Sequence, residues 1–372
     1  MNINKVLFAA VAAALLAGIT SEAQAQENDP GIVRTMSDDI SLGIGGTIQP
    51  RLTYTSDQNE RVGFGLRRMR LRLYTDIGDD LGVFLQMEGS GASATLLDVR
   101  GEYYLNDNLT IRAGRFVGTQ PRAYARTGHA HIDAIDRPAI SDKWARMTIG
   151  ADGRDYGLEG LWNTPNWELR GFLHNGYNGW NFRRGASNDP VDDGIGTDGL
   201  AFSASATHWP GDRDELELGA YASVNTSQNP LTEIGGTGRN YYSYSANAYW
   251  GPLPGQQPFR VKADFIGISY QEVEPHGTHH HLGASLFGST LVAPHIELFA
   301  MGEYLYNDLG DASTEKQVFL TAGGSYSISA LQDRPFFMNR LILTYNLRTQ
   351  PSDDIDFDDP AHVVMLQAQF YF

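Results

Sequence analysis

Residues 67–74 read RRMRLRLY, and no other feature limits the possible folds as tightly. Arg68, Arg70 and Arg72 alternate with Met69, Leu71 and Leu73. A repeat of two belongs to a strand, whose successive side chains point to opposite faces. A solvated helix face, with its longer period, does not produce it. The segment is a strand with one apolar and one cationic face, in a chain of formal net charge −16. Each face needs its own solvent.

Alternation bounded by turn residues predicts fifteen further strands. With this one at 62–76, they lie at roughly 41–55, 80–90, 95–105, 108–116, 153–163, 166–176, 198–208, 214–226, 239–250, 257–269, 276–290, 294–306, 316–328, 337–349 and 361–372. Their connections alternate between short turns, such as Ile77-Gly78-Asp79 and Asn106-Asp107, and longer loops, of which 117–152 is the longest. Short turns at one end and long loops at the other describe a 16-stranded antiparallel transmembrane β-barrel, with periplasmic turns and extracellular loops. Closure pairs every backbone group, which lets strands cross lipid. Apolar faces such as Leu97, Val99, Gly101, Tyr103 and Leu105 would then meet hydrocarbon, and aromatics at strand ends (Tyr54, Tyr74, Tyr103, Trp167, Tyr242, Trp250, Tyr345) would form interfacial girdles. A soluble sandwich also alternates, but it does not sort its loops by length.

The ends agree. Lys5, the apolar run Val6–Ile19 and Ala23-Gln24-Ala25 have the layout of a signal peptide over 1–25, cleaved after Ala25. Residues 26–40 form an N-terminal segment, and 41–372 the barrel. With no cysteine, disulfides and thiolate metal sites are excluded. The final strand ends in Phe372.

In such a barrel Met69, Leu71 and Leu73 belong to lipid. Arg68, Arg70 and Arg72 point into the bore, since an arginine at mid-bilayer costs about 2–4 kcal/mol. Arg51, Arg100 and Arg112 join them as the expected pore-lining anion pathway, with Arg170, Arg260, Lys262, Arg340 and Arg348 farther round. Inward acids (Glu88, Asp98, Glu102, Glu168, Asp264) leave two readings open: a mostly neutralised ionic network, or a partly unpaired cationic wall that concentrates anions. Loop 117–152 follows the fifth predicted strand, where general porins fold a constricting loop into the lumen. Its candidate constriction residues are Arg115, Arg122, Arg126, His129, His131, Arg137 and Lys143. From Arg112 to Arg146 seven bases face three acids, while the acids concentrate at Asp189–Asp198 and Asp353–Asp359. Those loops are either a solubilising rim or a divalent-ion bridge to lipopolysaccharide.

The stretch from 64 to about 146 resembles the phosphate-selective porin O and P family of Gram-negative outer membranes. GLRRMRLRLYTDIGDDLGVFLQMEGS, LLDVRGEYYLNDNLTIRAGRFVGTQ and IDRPAISDKW carry the likeness. It implies a homotrimer of anion channels, passing phosphate or similar small anions by way of the arginines at 68–72 and at 112, 115, 122 and 126. A terminal Phe372 looks like the signal read by the barrel assembly machinery. A general, weakly selective porin is the alternative within the class.

Other chemistry has weaker support. His276, His279, His280 and His281 could bind a metal, but alternation sends His280 away from its neighbours, and a polar loop end is the plainer reading. His129, His131 and Asp133 could suggest acid–base work, yet no Gly-x-Ser-x-Gly elbow or phosphate loop accompanies them. A barrel hydrolase or adhesin would need a converging Ser/His/acid set, and none is visible. No catalysis, resident metal, cofactor or nucleic-acid partner is expected.

Overall fold

The computed structural model describes residues 32–37, 39–57, 59, 61–91, 93–148, 153–176, 200–226, 240–273, 277–308 and 314–372. The expected signal peptide, the acidic loop at Asp189–Asp198 and His276 lie outside these residues. Strands β1 (Ile32–Ser37), β2 (Ile40–Thr55), β3 (Val62–Ile77), β4 (Leu81–Glu88), β5 (Thr95–Asn106) and β6 (Leu109–Phe116) precede helix α1 (Ala139–Met147). Then come β7 (Asp155–Asn163), β8 (Trp167–His174), β9 (Ala201–His208), β10 (Leu216–Asn225), β11 (Tyr241–Trp250) and β12 (Phe259–Val273). The last are β13 (Gly277–Ala293), β14 (Ile296–Asp308), β15 (Thr314–Ser327), β16 (Asn339–Arg348) and β17 (Ala361–Tyr371).

Strands β2 to β17 form one closed 16-stranded antiparallel barrel, each paired with its neighbour and β17 with β2. All sixteen correspond to predicted strands. The seam closes at the last residue, where Phe372 and Gly46 exchange backbone hydrogen bonds of 2.7 and 3.1 Å. The Phe372 ring lies over Gly46, where an added Cβ would come within 2.5 Å and the ring would have to shift. The short strand β1 was not anticipated. It pairs with Ile40–Ile44 of β2, beyond the point where β17 ends. Among the described residues no helix is long and apolar enough to cross a membrane.

Most faces follow the expected parity. Leu216 to Val224 on alternate positions of β10 point outward, as do Leu298, Ala300 and Tyr304 of β14. Two β-bulges change the pattern. Arg67 is an extra residue opposite the Gln49–Pro50 step, where Pro50 has no amide to donate. Phe64 and Leu66 therefore face out before it, Met69, Leu71 and Leu73 after it, and Arg67 and Arg68 both face in. On β5, Leu97 is the extra residue between Leu96 and Asp98, which turns it into the bore. That corrects its expected lipid contact; Leu96 takes the outer position. Tyr74 is also corrected. It shares the arginine parity, and its ring lies across Gly43 inside the barrel.

Part of the inner wall is covered by apolar contacts. Tyr221, Tyr241, Ile266, Ile268 and Leu305 point inward and pack on Tyr124, Ile140, Trp144 and Ala145 of the loop between β6 and β7. A second cluster joins Ala134 and Ile135 to Phe287, Phe299, Met301, Ile342, Val363 and Met365. Burying side chains of this size contributes about 1.5–3 kcal/mol each. The loop is thus a folded insert with its own hydrophobic anchor on β10–β17, leaving the bore open towards β3–β8.

Candidate functional site: the bore and its inner loop

Ionic contacts complete the anchoring of the loop, each to a different sector of the wall. Asp136 takes two hydrogen bonds from Arg51, at 2.8 and 3.1 Å, and one from Arg67 at 3.1 Å. Asp133 meets Arg260 and Lys262, both at 2.7 Å. With reversed polarity, Arg122 pairs with Glu217 at 2.7 Å, and Arg126 pairs with Glu168. Backbone carbonyls of the loop are also held: Gln369 and Arg340 both donate to Ala130 O.

Helix α1 starts at Pro138, which offers no capping side chain. The cap comes from the facing wall instead, where Glu303 of β14 accepts from Ile140 N at 3.4 Å. A carboxylate at a helix N-terminus satisfies an otherwise unpaired amide and opposes the helix dipole.

Among the described residues, two sizeable cavities flank the loop. The larger, about 1070 Å³, runs along β3–β8 towards the short turns. Ten arginines line it against four carboxylates (Glu88, Asp98, Asp142, Glu168). Of the expected site residues, Arg68, Arg70, Arg72, Arg100, Arg112, Arg126, His129, His131 and Arg137 are brought together there. The smaller, about 360 Å³, lies between α1 and β14–β17 and includes Lys143. Arg137 and Asp142 line both. Arg51 and Arg122 are taken up by their loop–wall pairs, and Arg115 is buried, donating to the Leu97 carbonyl. Sequence reasoning missed Arg67, hidden by the bulge, and Arg154, which pairs with Asp98 at 3.0 Å.

The two readings of the arginines divide residue by residue. Arg70 pairs with Glu88 at 2.8 Å, Arg100 and Arg112 share Glu102, and Arg170 pairs with Glu168 at 2.8 Å. Arg68, Arg137 and Arg340 have no carboxylate within ion-pair distance among the described residues. Arg68 donates to the Gln49 amide at 2.9 Å. Arg137 donates to the carbonyls of Tyr124 and Thr127, at 2.8 and 2.7 Å. Carbonyl and amide dipoles orient a guanidinium without cancelling its charge. Burial lowers Arg137 to about 10, opposed by Tyr124 and assisted by nearby Arg70, so it remains a cation at neutral pH.

The loop histidines are neutral. Arg70 donates to His129 Nδ1 at 3.3 Å, so that nitrogen must accept, and Nε2 carries the proton it gives to Thr47 Oγ1 at 2.6 Å. Burial, then Arg70 and Arg72, push His129 far below the usual histidine range. Burial, then Arg122 and Arg340, push His131 to about 3. Burial alone would raise Asp133, but Lys262 and Arg260 override it and hold the carboxylate at about 2.

A Ser/His/Asp set does converge, contrary to expectation. His174 Nδ1 lies 2.8 Å from Asp155 Oδ2, and Nε2 lies 3.1 Å from Ser203 Oγ. The members sit on three consecutive strands, 19 and 29 residues apart, so only strand pairing reveals them. Ser203 is 1% exposed and passes its hydrogen to Ser223 at 3.1 Å. Asp155 also accepts from Gly176 N. The set ties β7 to β10 together and presents no open nucleophile. His279 and His281 face inward and His280 outward, as alternation requires. Among the described residues no group of three or more His, Asp or Glu could hold a metal ion.

No family model matches the chain, and no curated protein matches it by sequence. Solved structures do match its fold. An anion-selective porin from Comamonas acidovorans is 13% identical with a TM-score of 0.66, covering 90% of this chain and 100% of that one. OmpTdeltaL8, an outer-membrane protein of Vibrio cholerae, is 11% identical with a TM-score of 0.64, covering 90% and 100%. The outer-membrane channel DcaP of Acinetobacter baumannii is 13% identical with a TM-score of 0.59, covering 92% and 100%. At this identity the likeness shows a shared architecture, that of Gram-negative outer-membrane porins. The phosphate-selective subfamily is not distinguished by it.

Proposed function

We propose that the chain is an outer-membrane porin of a Gram-negative cell, passing small hydrophilic solutes by diffusion, with a preference for anions. One observation carries the reading: inside a closed barrel, beside an inserted loop, ten arginines face four carboxylates along one cavity. A bore walled by low-dielectric protein focuses such a charge excess and raises the local anion concentration. The arginines replace part of an anion's hydration and pass it between several weak sites. Phosphate is one such anion, and chloride or a small carboxylate would serve equally.

The same reading takes residues 1–25 as an export signal, the outward Leu, Phe and aromatic residues as the lipid surface, and Phe372 at the seam as the handle for barrel assembly. It takes the assembly as a homotrimer, and Asp353–Asp359 as outward-facing sites for cation-bridged lipopolysaccharide. It gives the enclosed Ser203 hydroxyl a structural role. A weakly selective general porin is favoured by one observation, the carboxylate pairing of Arg70, Arg100, Arg112 and Arg170.

The deciding experiment is the reversal potential of the purified protein in a planar bilayer under a salt gradient. An anion-selective sign is expected, and replacing Arg68, Arg70 and Arg72 by glutamine should move it towards cations. A cation-selective sign in the wild type would sink the anion preference.

A further inference from the structure

The smaller cavity differs in kind from the arginine-lined one. Phe319 of β15 stands directly opposite Arg348 of β16 and, on its other side, Glu303 of β14, all three facing inward. Arg348 Nε donates to the Asn346 amide at 3.1 Å, and among the described residues no carboxylate lies within ion-pair distance of it. Met301 and Met365 extend the Phe319 surface. The carboxylates nearby are committed or balanced. Glu303 caps α1, Asp136 is held by Arg51 and Arg67, and Asp142 has Lys143 beside it in the lining.

We infer that this cavity is an admission site for small organic anions carrying an apolar group, with Arg348 receiving the carboxylate and Phe319, Met301 and Met365 the apolar part. The inference rests on the channel reading above and specifies its solute. At about 360 Å³ the space falls within the size of sites that enclose small organic ligands, about 300–1,000 Å³. Polarizable methionines and an aromatic ring accept varied apolar shapes. An inorganic oxyanion would leave that surface unused. Arg137 lines both this cavity and the larger one, so a carboxylate released by Arg348 can be handed to a second cation, held by backbone carbonyls.

The test compares benzoate with acetate as blockers of chloride current through the folded protein in a planar bilayer. Benzoate should block at about tenfold lower concentration than acetate, the scale of one aromatic contact. Arg348→Gln should weaken both blockers, and Phe319→Leu, which keeps the position apolar but removes the ring, should bring benzoate close to acetate. Calorimetric titration of the detergent-solubilised protein with benzoate gives a readout independent of conduction. Equal potency of benzoate and acetate in the wild type would overturn the inference while leaving an anion-selective pore intact. A cation-selective pore that still binds benzoate through Arg348 would overturn the conduction reading alone. If either variant loses its sheet signal by circular dichroism, the wild-type comparison and titration still decide.

Discussion

Asp136 and Arg51 form a two-pronged ion pair, with the carboxylate on the inner loop and the guanidinium on the barrel wall 85 residues away. Arg67, present in the bore only because of a bulge, binds the same carboxylate. One loop acid therefore offsets part of the charge of two wall bases and helps to hold the loop in position.

Asp136→Asn should have both consequences. The part-buried Arg51 and the exposed Arg67 lose their counter-charge, and the docked loop loses on the order of 1–3 kcal/mol. In a salt-gradient bilayer measurement the reversal potential should move further towards anions, and open-channel noise should rise. An unchanged potential would mean that Arg51 and Arg67 lie away from the ion path.

Trp144 is the largest fully buried side chain of the insert, edge-on to Tyr221 at 6.0 Å and tilted on Tyr124 at 5.5 Å. Trp144→Ala should cost about 3–5 kcal/mol of docking free energy. Single-channel recording should show larger, less steady conductance, with barrel strand content by circular dichroism preserved.

The pH dependence has a definite sign. His129 and His131 have folded values below the unfolded value of about 6.5. Their contribution to stability is complete above about pH 6.5 and is lost as pH falls towards their folded values. Asp133 and Asp136, also lowered, add a loss that begins below about pH 4. On acidification from about pH 6.5 the unfolding midpoint of the detergent-solubilised protein should fall more than that of a variant with His129→Gln and His131→Gln. Conductance should show no histidine step between pH 6.5 and 8. Identical pH dependence in wild type and variant would contradict the neutral histidines.

Charge selectivity should depend on ionic strength. The screening length shrinks from about 30 Å at 0.01 M to about 3 Å at 1 M. The anion-to-cation permeability ratio should therefore fall towards unity over that range. A ratio independent of salt would point to contact coordination in place of a diffuse field.

The barrel was legible because its signal is repeated sixteen times. Period-two alternation names two faces, and loop lengths name two ends. What alternation does not contain is a change of parity. Leu96, Leu97 and Asp98 read equally well with either leucine outward, and a single inserted residue at Arg67 or Leu97 decides it. Pairing was likewise hidden. Nothing local joins Asp133 to Lys262 or Ser203 to His174, because those contacts exist only once distant strands lie side by side. Inward apolar residues such as Ile266 and Val363 have no reason to face a water-filled bore until the loop that covers them is in place.

That cover imposes an order on folding. The insert leaves the chain between β6 and β7, yet its hydrophobic partners lie on β10–β17, up to the last strand. It has no complete docking surface until the later half of the barrel exists, and β17 reaches β2 only at closure. Contacts so distant in sequence carry a large loop-closure cost before they return any stabilisation. Docking of the loop thus depends on strands made after it, and a barrel closed without it would leave these inward apolar faces uncovered.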